Sequence, residues 1–250
     1  MNFDNIVASR KNKTIYRSGN LCVKVFNSDY SKANVLNEAL NHARVEDSGL
    51  KNIPAIHEVT MIDGKWAIVS DYIVGRPLSE LMAEHPEKED WFLNMFVDLQ
   101  IKVQSYSCPL LSRLSDKMNR KICETDYDAT TRYALHTRLD SMPKHNKLCH
   151  GDFNPSNIII TESGEPYIID WAHATQGNAS ADVARTYLLF CLDGKNALGD
   201  KYVDLFCAKT KTDKRYVQSW IPIVAASQSV KGHEDEKEFL SKWVNVVDYE

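Results

Sequence analysis

No apolar run in the 250-residue sequence approaches the roughly 20 residues that a membrane-spanning helix needs, so no membrane partner is expected. The opening stretch MNFDNIVASRKNK has charges without an apolar segment behind them, which predicts a cytoplasmic protein. Blocks of lysine and arginine are lacking as well. With 30 basic against 34 acidic residues and a net charge of −4, nucleic acid is not an expected partner. The six cysteines (Cys22, Cys108, Cys123, Cys149, Cys191 and Cys207) show no CxxC pair and no metal-type spacing. Isolated reduced thiols are expected from that scatter, with neither a disulfide framework nor a zinc site. There is no internal repeat and no low-complexity segment. What is present, 43% hydrophobic and 26% charged residues, is a globular composition, and the length suits one large domain or two small lobes.

The first third reads as strands. NIVASR, TIYRSG and LCVKVF are short β-rich runs parted by polar or glycine-containing turns. A helical period follows, with Val35, Leu36, Ala39, Leu40 and Ala43 on its apolar face and Gly49 at its end. The pattern then returns to strand over PAIHEVTMIDGKWAIVSDYIV, where Asp63-Gly64 signals a type I′ hairpin. After Gly75 the texture turns helical. PLSELMAEH, KEDWFLNMFVDLQIKVQSYS and residues 126–141, ended by Pro143, have helical period, and DKRYVQSWIPIVAASQSV and EKEFLSKWVNVV continue it. Pro222 is expected at a kink or a helix start. The acidic clusters PEKED and HEDEKE read as helix starts in water. Within this helical part NIIIT and PYIID stand out as two short strands joined by ESGE.

The chemistry concentrates around that hairpin, in LCHGDFNPSNIIITESGEPYIIDWAHA, residues 148–174. A loop with Asp152 and Asn157 runs into its first strand, and Asp170 closes its second, so three polar groups gather at one end. Asn157 and Asp170 supply one neutral and one anionic oxygen, which suits a hard ion such as Mg²⁺ that also binds phosphates. Asp152 is left to orient a hydroxyl and accept its proton, the arrangement of phosphoryl transfer. Taken singly, each residue would favour an ordinary turn or strand end. Their joint order favours the functional reading.

The stretch HGDFNPSNIII…YIIDWAHATQG…ADVAR resembles the active-site segment of the aminoglycoside phosphotransferase and choline kinase family, small-molecule kinases with the protein-kinase fold. The resemblance implies an α+β fold with an antiparallel-sheet N-lobe over residues 1–74 and a mainly helical C-lobe over 75–250. It implies Asp152 as catalytic base and Asn157 and Asp170 as metal ligands. It also implies that His150 organises the loop and that Asp182 buttresses it from the next helix. Trp171 and Ala172 stand where protein kinases have Phe and Gly, which favours the small-molecule branch.

A kinase fold also needs a lysine for the α/β-phosphates and a glutamate to hold it. Lys24, between Val23 and Val25, points to the face opposite theirs and is the lysine chosen, with an outward-facing strand lysine as the alternative. Its expected partner is Glu38, with Glu46 on the same helix face as the second choice. Main-chain groups of Asp71 and Ile73 are expected to pair with the purine. By the same resemblance Ser70 falls at the position that guards the back of that pocket, and its small side chain is expected to admit purines other than adenine, GTP with ATP. The phosphate-covering loop SRKNK contains no glycine, so backbone amides from Ser9 to Lys13 are the expected contacts.

The cofactors implied are ATP and Mg²⁺, and the partner is a small-molecule hydroxyl acceptor: an aminoglycoside, a choline- or ethanolamine-like amino alcohol, or a sugar. Tyr127, Tyr133, Tyr187, Tyr216 and Trp220, with Asp126, Asp128 and Asp193, suit a cationic amine through cation–π and Coulomb attraction, and suit helix packing equally well. The glycine-free loop keeps a second reading open, a catalytically silent kinase-fold binding protein.

Overall fold

The computed structural model describes residues 5–230 and 234–244. In chain order its strands are β1 (Asn5–Ser9), β2 (Lys13–Ser18), β3 (Leu21–Phe26), β4 (Ile56–Ile62), β5 (Lys65–Asp71), β6 (Arg76–Pro77), β7 (Lys147–Cys149), β8 (Ile158–Ile160), β9 (Pro166–Ile168) and β10 (Thr175–Gly177). The helices are α1 (Lys32–Asp47), α2 (Leu78–Glu84), α3 (Glu89–Gln104), α4 (Leu114–Cys123), α5 (Ala129–Ser141), α6 (Ala179–Leu192), α7 (Asn196–Thr210), α8 (Lys214–Ser229) and α9 (Glu234–Val244). The fold is α+β, with an antiparallel sheet first and a mainly helical remainder. Contacts divide it into two compact units, Met1–Pro86 with Pro155–Ala174, and Glu87–Asn154 with Thr175–Glu250. None of the described helices is long and apolar enough to cross a membrane.

The first unit is built on a five-stranded sheet in the order β1-β2-β3-β5-β4, every neighbouring pair antiparallel. Asp63 and Gly64 both have positive φ, 48° and 75°, the two left-handed positions that a type I′ turn requires. Alternation along β3 sorts its side chains onto two faces. Val23 packs with Ala67 and Val69 on one, and Phe26 packs with Val35, Ala39 and Ile68 on the other, the face covered by α1. Truncating a fully buried ring such as Phe26 to alanine would cost about 3–5 kcal/mol. A second sheet, β6-β8-β9, holds the 155–174 hairpin. Gly75 leads into it, where a Cβ would lie 2.4 Å from the Ile160 carbonyl oxygen, so no larger residue fits. Asn52 ties this hairpin to the rest of the unit: its carbonyl accepts from the Ile168 N–H at 2.9 Å and its amide donates to Pro166 O at 3.2 Å.

The second unit is helical apart from the β7-β10 pair. Phe96 of α3 anchors its core, 4.7 Å from Phe153, 5.9 Å from Phe190 and 5.8 Å from Tyr202, ring centre to ring centre. Side-chain caps set three helix starts. Asp128 accepts from Thr131 N–H at 2.7 Å, Asn178 from Ser180 N–H at 2.9 Å and Asp213 from Arg215 N–H at 2.9 Å. The helix expected from 126 therefore begins at Ala129. Helix α3 carries Glu89 and Asp90 of PEKED in its first turn. His233 of HEDEKE and residues 245–247 of EKEFLSKWVNVV lie outside the described residues. Pro222 sits in the interior of α8, not at a helix start. Burial explains its tolerance, since Ile221, Pro222, Ile223 and Val224 are all inside, and packing outweighs the lost backbone hydrogen bond.

Candidate active site

In the first unit the sheet register gathers four charged side chains. Lys24 shares a face of β3 with Phe26, which lies against α1, so its ammonium reaches Glu38 on that helix. Lys24 Nζ is 2.5 Å from Glu38 Oε1 and 3.3 Å from Asp170 Oδ1. Burial works against its charge, but the carboxylates of Asp170 and Glu38 outweigh that and hold its pKa well above an ordinary lysine's. Glu46, the other candidate partner, instead accepts from the Ile56 N–H at 2.8 Å and lies 3.7 Å from His42.

A second lysine joins the group. Ile15 pairs directly with Lys24, and Lys13, two residues earlier on β2, shares the face of Ile15. Its ammonium is 3.5 Å from Glu38 Oε1 and 3.7 Å from Asp170 Oδ2, and lies 5.8 Å from the Phe26 ring centre. The sequence pointed to the backbone of Lys13 as its contribution. Lys13 O accepts from Arg10 N–H at 2.8 Å and Lys13 stands opposite Phe26 in the β2-β3 register. Ser9 pairs with Thr14 at the end of β1, and Asn27 N–H and amide hold Asn12 O and Lys11 O at 2.9 Å each, so the intervening loop has a defined shape without glycine.

Asp170 occupies the left-handed region, φ 63° and ψ 61°, which short polar side chains tolerate better than others. Two contacts hold that turn: Trp171, fully buried, donates its indole N–H to Ile168 O at 3.1 Å, and Asn41 of α1 donates to Ala172 O at 3.0 Å. Asn157 O accepts from Ile169 N–H at 2.9 Å, one rung beyond the Ile158–Ile168 pair. Asn157 and Asp170 are thus held at the same end of the β8-β9 hairpin. In the expected purine-binding strand, the Asp71 N–H donates to Ala55 O at 2.9 Å and its side chain accepts from Ala55 N–H and His57. Its carbonyl accepts from the Ser70 hydroxyl at 3.5 Å.

The second unit holds the loop with Asp152. Asp182, 2% exposed, accepts from Gly151 N–H at 2.7 Å and from His150 N–H at 3.3 Å, and the Gln100 amide donates to it at 3.3 Å. His150 is fully buried, and its Nδ1 accepts from Asp152 N–H at 3.2 Å. Gly151 has φ 80°, which the turn between those two residues requires. Phe153 O accepts from the Thr186 hydroxyl at 2.8 Å, so α6 grips the loop at both ends.

Two residues around Asp152 escaped the sequence reading. Arg185 Nη2 is 3.6 Å from Asp152 Oδ1, and Asn154 Nδ2 is 3.4 Å from Oδ2. Burial lowers the Arg185 pKa against the pull of Asp152, Glu236 and Asp182, yet a guanidinium stays charged. Its Nε is buried with no hydrogen-bond partner among the described residues. The signal for Arg185 was its place three residues after Asp182, on the same helix face. Of the residues expected near an acceptor, Asp128 caps α5, Tyr216 OH accepts from Asn178, Tyr187 stacks edge-on with Trp243, and Trp220 is buried. These serve local structure. Tyr133 is 73% exposed and Asp193 pairs with Lys195 at 3.6 Å.

The model of a phosphotransferase enzyme family matches residues 6–218. A thermostable mutant of aminoglycoside phosphotransferase APH(4)-Ia is similar in structure over 96% of this chain and 90% of its own, with a TM-score of 0.69 and 14% identity. Choline kinase LicA from Streptococcus pneumoniae is similar over 97% and 93% respectively, TM-score 0.64, identity 12%. An aminoglycoside-3'-phosphotransferase of type VIII is similar over 90% and 92%, TM-score 0.64, identity 16%. At such identities the likeness establishes the fold. No curated protein matches the sequence.

Proposed function

Since the chain belongs to the phosphotransferase enzyme family and is by that membership a small-molecule kinase, we propose that it transfers the γ-phosphoryl group of ATP to a hydroxyl of an aminoglycoside, an amino alcohol of the choline or ethanolamine kind, or a sugar. The observation that carries this reading is the Lys24–Glu38–Asp170 cluster, a buried lysine held between a helix carboxylate and the carboxylate that closes the hairpin. The proposal takes residues 1–74 as the nucleotide-binding lobe and 75–250 as the lobe with the catalytic loop and the acceptor. A solved neighbour, an APH(4)-Ia variant 13% identical over 96% of this chain and 89% of its own (TM-score 0.68), was captured with ADP and hygromycin B together, which supports a nucleotide donor here.

Lys24 binds the α/β-phosphates and Glu38 orients it. Lys13 adds a second ammonium beside it, which offsets the missing glycine cradle. Asp71 and Ile73 pair with the purine through main-chain groups, and Ser9 lies at the phosphate loop. Asn157 and Asp170 fit Mg²⁺: both offer hard oxygen donors, both lie at the same end of the hairpin, and the Asp170 carboxylate already has cations on both oxygens. When bound, Mg²⁺ would neutralise phosphate charge. Lys13 and Lys24, both beside Asp170, would offer their ammoniums to the phosphates. Asp152 orients the acceptor hydroxyl and takes its proton, while Arg185 and Asn154 hold its carboxylate and Asp182 and His150 hold its loop.

The test is a panel of amino alcohols, sugars and aminoglycosides incubated with Mg-ATP, with phosphomonoester product followed by phosphorus NMR, on the wild type and Asp152→Asn. The proposal expects product with at least one acceptor and its loss in Asp152→Asn. Wild-type turnover in that variant would refute the assignment of the base.

A further inference from the structure

Away from these residues, α4 and α5 bring together a thiol, an imidazole and a carboxamide. Asn119 and Cys123 lie four residues apart on α4 and so share one face. His136 of α5 meets both. Its Nδ1 is 2.7 Å from Asn119 Oδ1, and its Nε2 is 3.5 Å from Cys123 Sγ. A carboxamide oxygen can only accept, so the ring proton sits on Nδ1 and Nε2 carries the lone pair facing the sulfur. The carboxamide fixes the ring, the ring presents a base, and the base meets a nucleophile.

Cys123 is also the exposed cysteine of the six, whereas Cys108, Cys149 and Cys191 are buried and Cys22 and Cys207 are partly covered. Burial pushes the thiols of Cys22, Cys149, Cys191 and Cys207 above their ordinary range, which suppresses their thiolates. Accessibility and an oriented base therefore coincide at one sulfur.

We propose that Cys123, assisted by His136 and Asn119, is a reactive thiol that forms mixed disulfides with small disulfides of the glutathione kind. Cys123 gives its proton to His136 Nε2 as Sγ attacks one sulfur of the disulfide. The new S–S bond forms at Cys123 while the old one breaks, and the departing thiolate takes the proton back from the imidazolium. One thiol and one disulfide become one mixed disulfide and one thiol, with no other oxidant.

The experiment treats the full chain with oxidised glutathione at fixed neutral pH and follows adduct mass and position by peptide mapping. Adduct should appear first at Cys123. His136→Ala should slow it by roughly tenfold or more, short of the hundredfold or more that a base supplies inside an enclosed active site. Asn119→Ala, which frees the ring while keeping it, should slow it less and serves as the second test if His136→Ala does not fold. A hydrogen bond that matters only for packing would shift unfolding midpoints and leave adduct rates unchanged. Equal rates at Cys22 or Cys207, or unchanged rates in the folded variants, would overturn the proposal.

Discussion

Around Lys24 four side-chain charges balance one another, two ammoniums against two carboxylates, whereas the single buried carboxylate of Asp182 accepts from three N–H groups and attracts the Arg185 guanidinium. The first arrangement leaves charges that an incoming anion and cation can re-sort, because most of its contacts lie at 3.3–3.7 Å and the Asp170 side chain is one-third exposed. The second leaves nothing to exchange. Each N–H it binds would otherwise be an orphan in the interior. One region keeps partly exposed, exchangeable charges and the other holds a loop still.

That contrast can be tested by substitution. The largest effect is expected at the residue the rigid loop carries: Asp152→Asn should lower turnover by roughly a hundredfold to ten-thousandfold with folding and nucleotide binding intact, read from steady-state rates beside circular dichroism. Next comes the loop's support. Asp182→Ala orphans two backbone N–H groups and should cost about 2–4 kcal/mol in urea unfolding, with activity falling as the loop loosens. Lys24→Met should reverse the pattern, weakening nucleotide binding in calorimetry far more than it shifts the urea midpoint. Lys13→Met should weaken ATP by about threefold to tenfold, in line with one lost charge-assisted contact, and leave adenosine binding unchanged. The smallest effect is expected at Ser70→Met, which should lower GTP use relative to ATP. Failure of the wild type with both GTP and enlarged ATP analogues would contradict an open pocket there.

The strands of the first unit were legible because alternation, Gly19 and Asp63-Gly64 mark them locally. The hairpin at 155–174 was legible for the same reason. Helix α4 was not, because LSDKMNRKIC is mostly polar and only Met118, Lys121 and Ile122 of it are buried. Lys13 shows a different limit. Its residue type was visible, but its reach into the charge cluster follows from the β2-β3 register, which places it on the face of Lys24. Arg185 and Asn154 likewise acquire meaning only once α6 and the Asp152 loop meet. Pro222 shows packing overruling propensity in a helix buried from Trp220 to Ser227.

Thermal unfolding with and without Mg-ATP, on the wild type and on Asp170→Ala, tests the central claim most directly. At about a hundredfold excess over Kd, binding should add roughly 2.7 kcal/mol and raise the wild-type midpoint by several degrees. A metal-dependent rise in the wild type that vanishes in Asp170→Ala is the predicted result. No rise with any nucleotide, or a rise that Asp170→Ala retains, would contradict it.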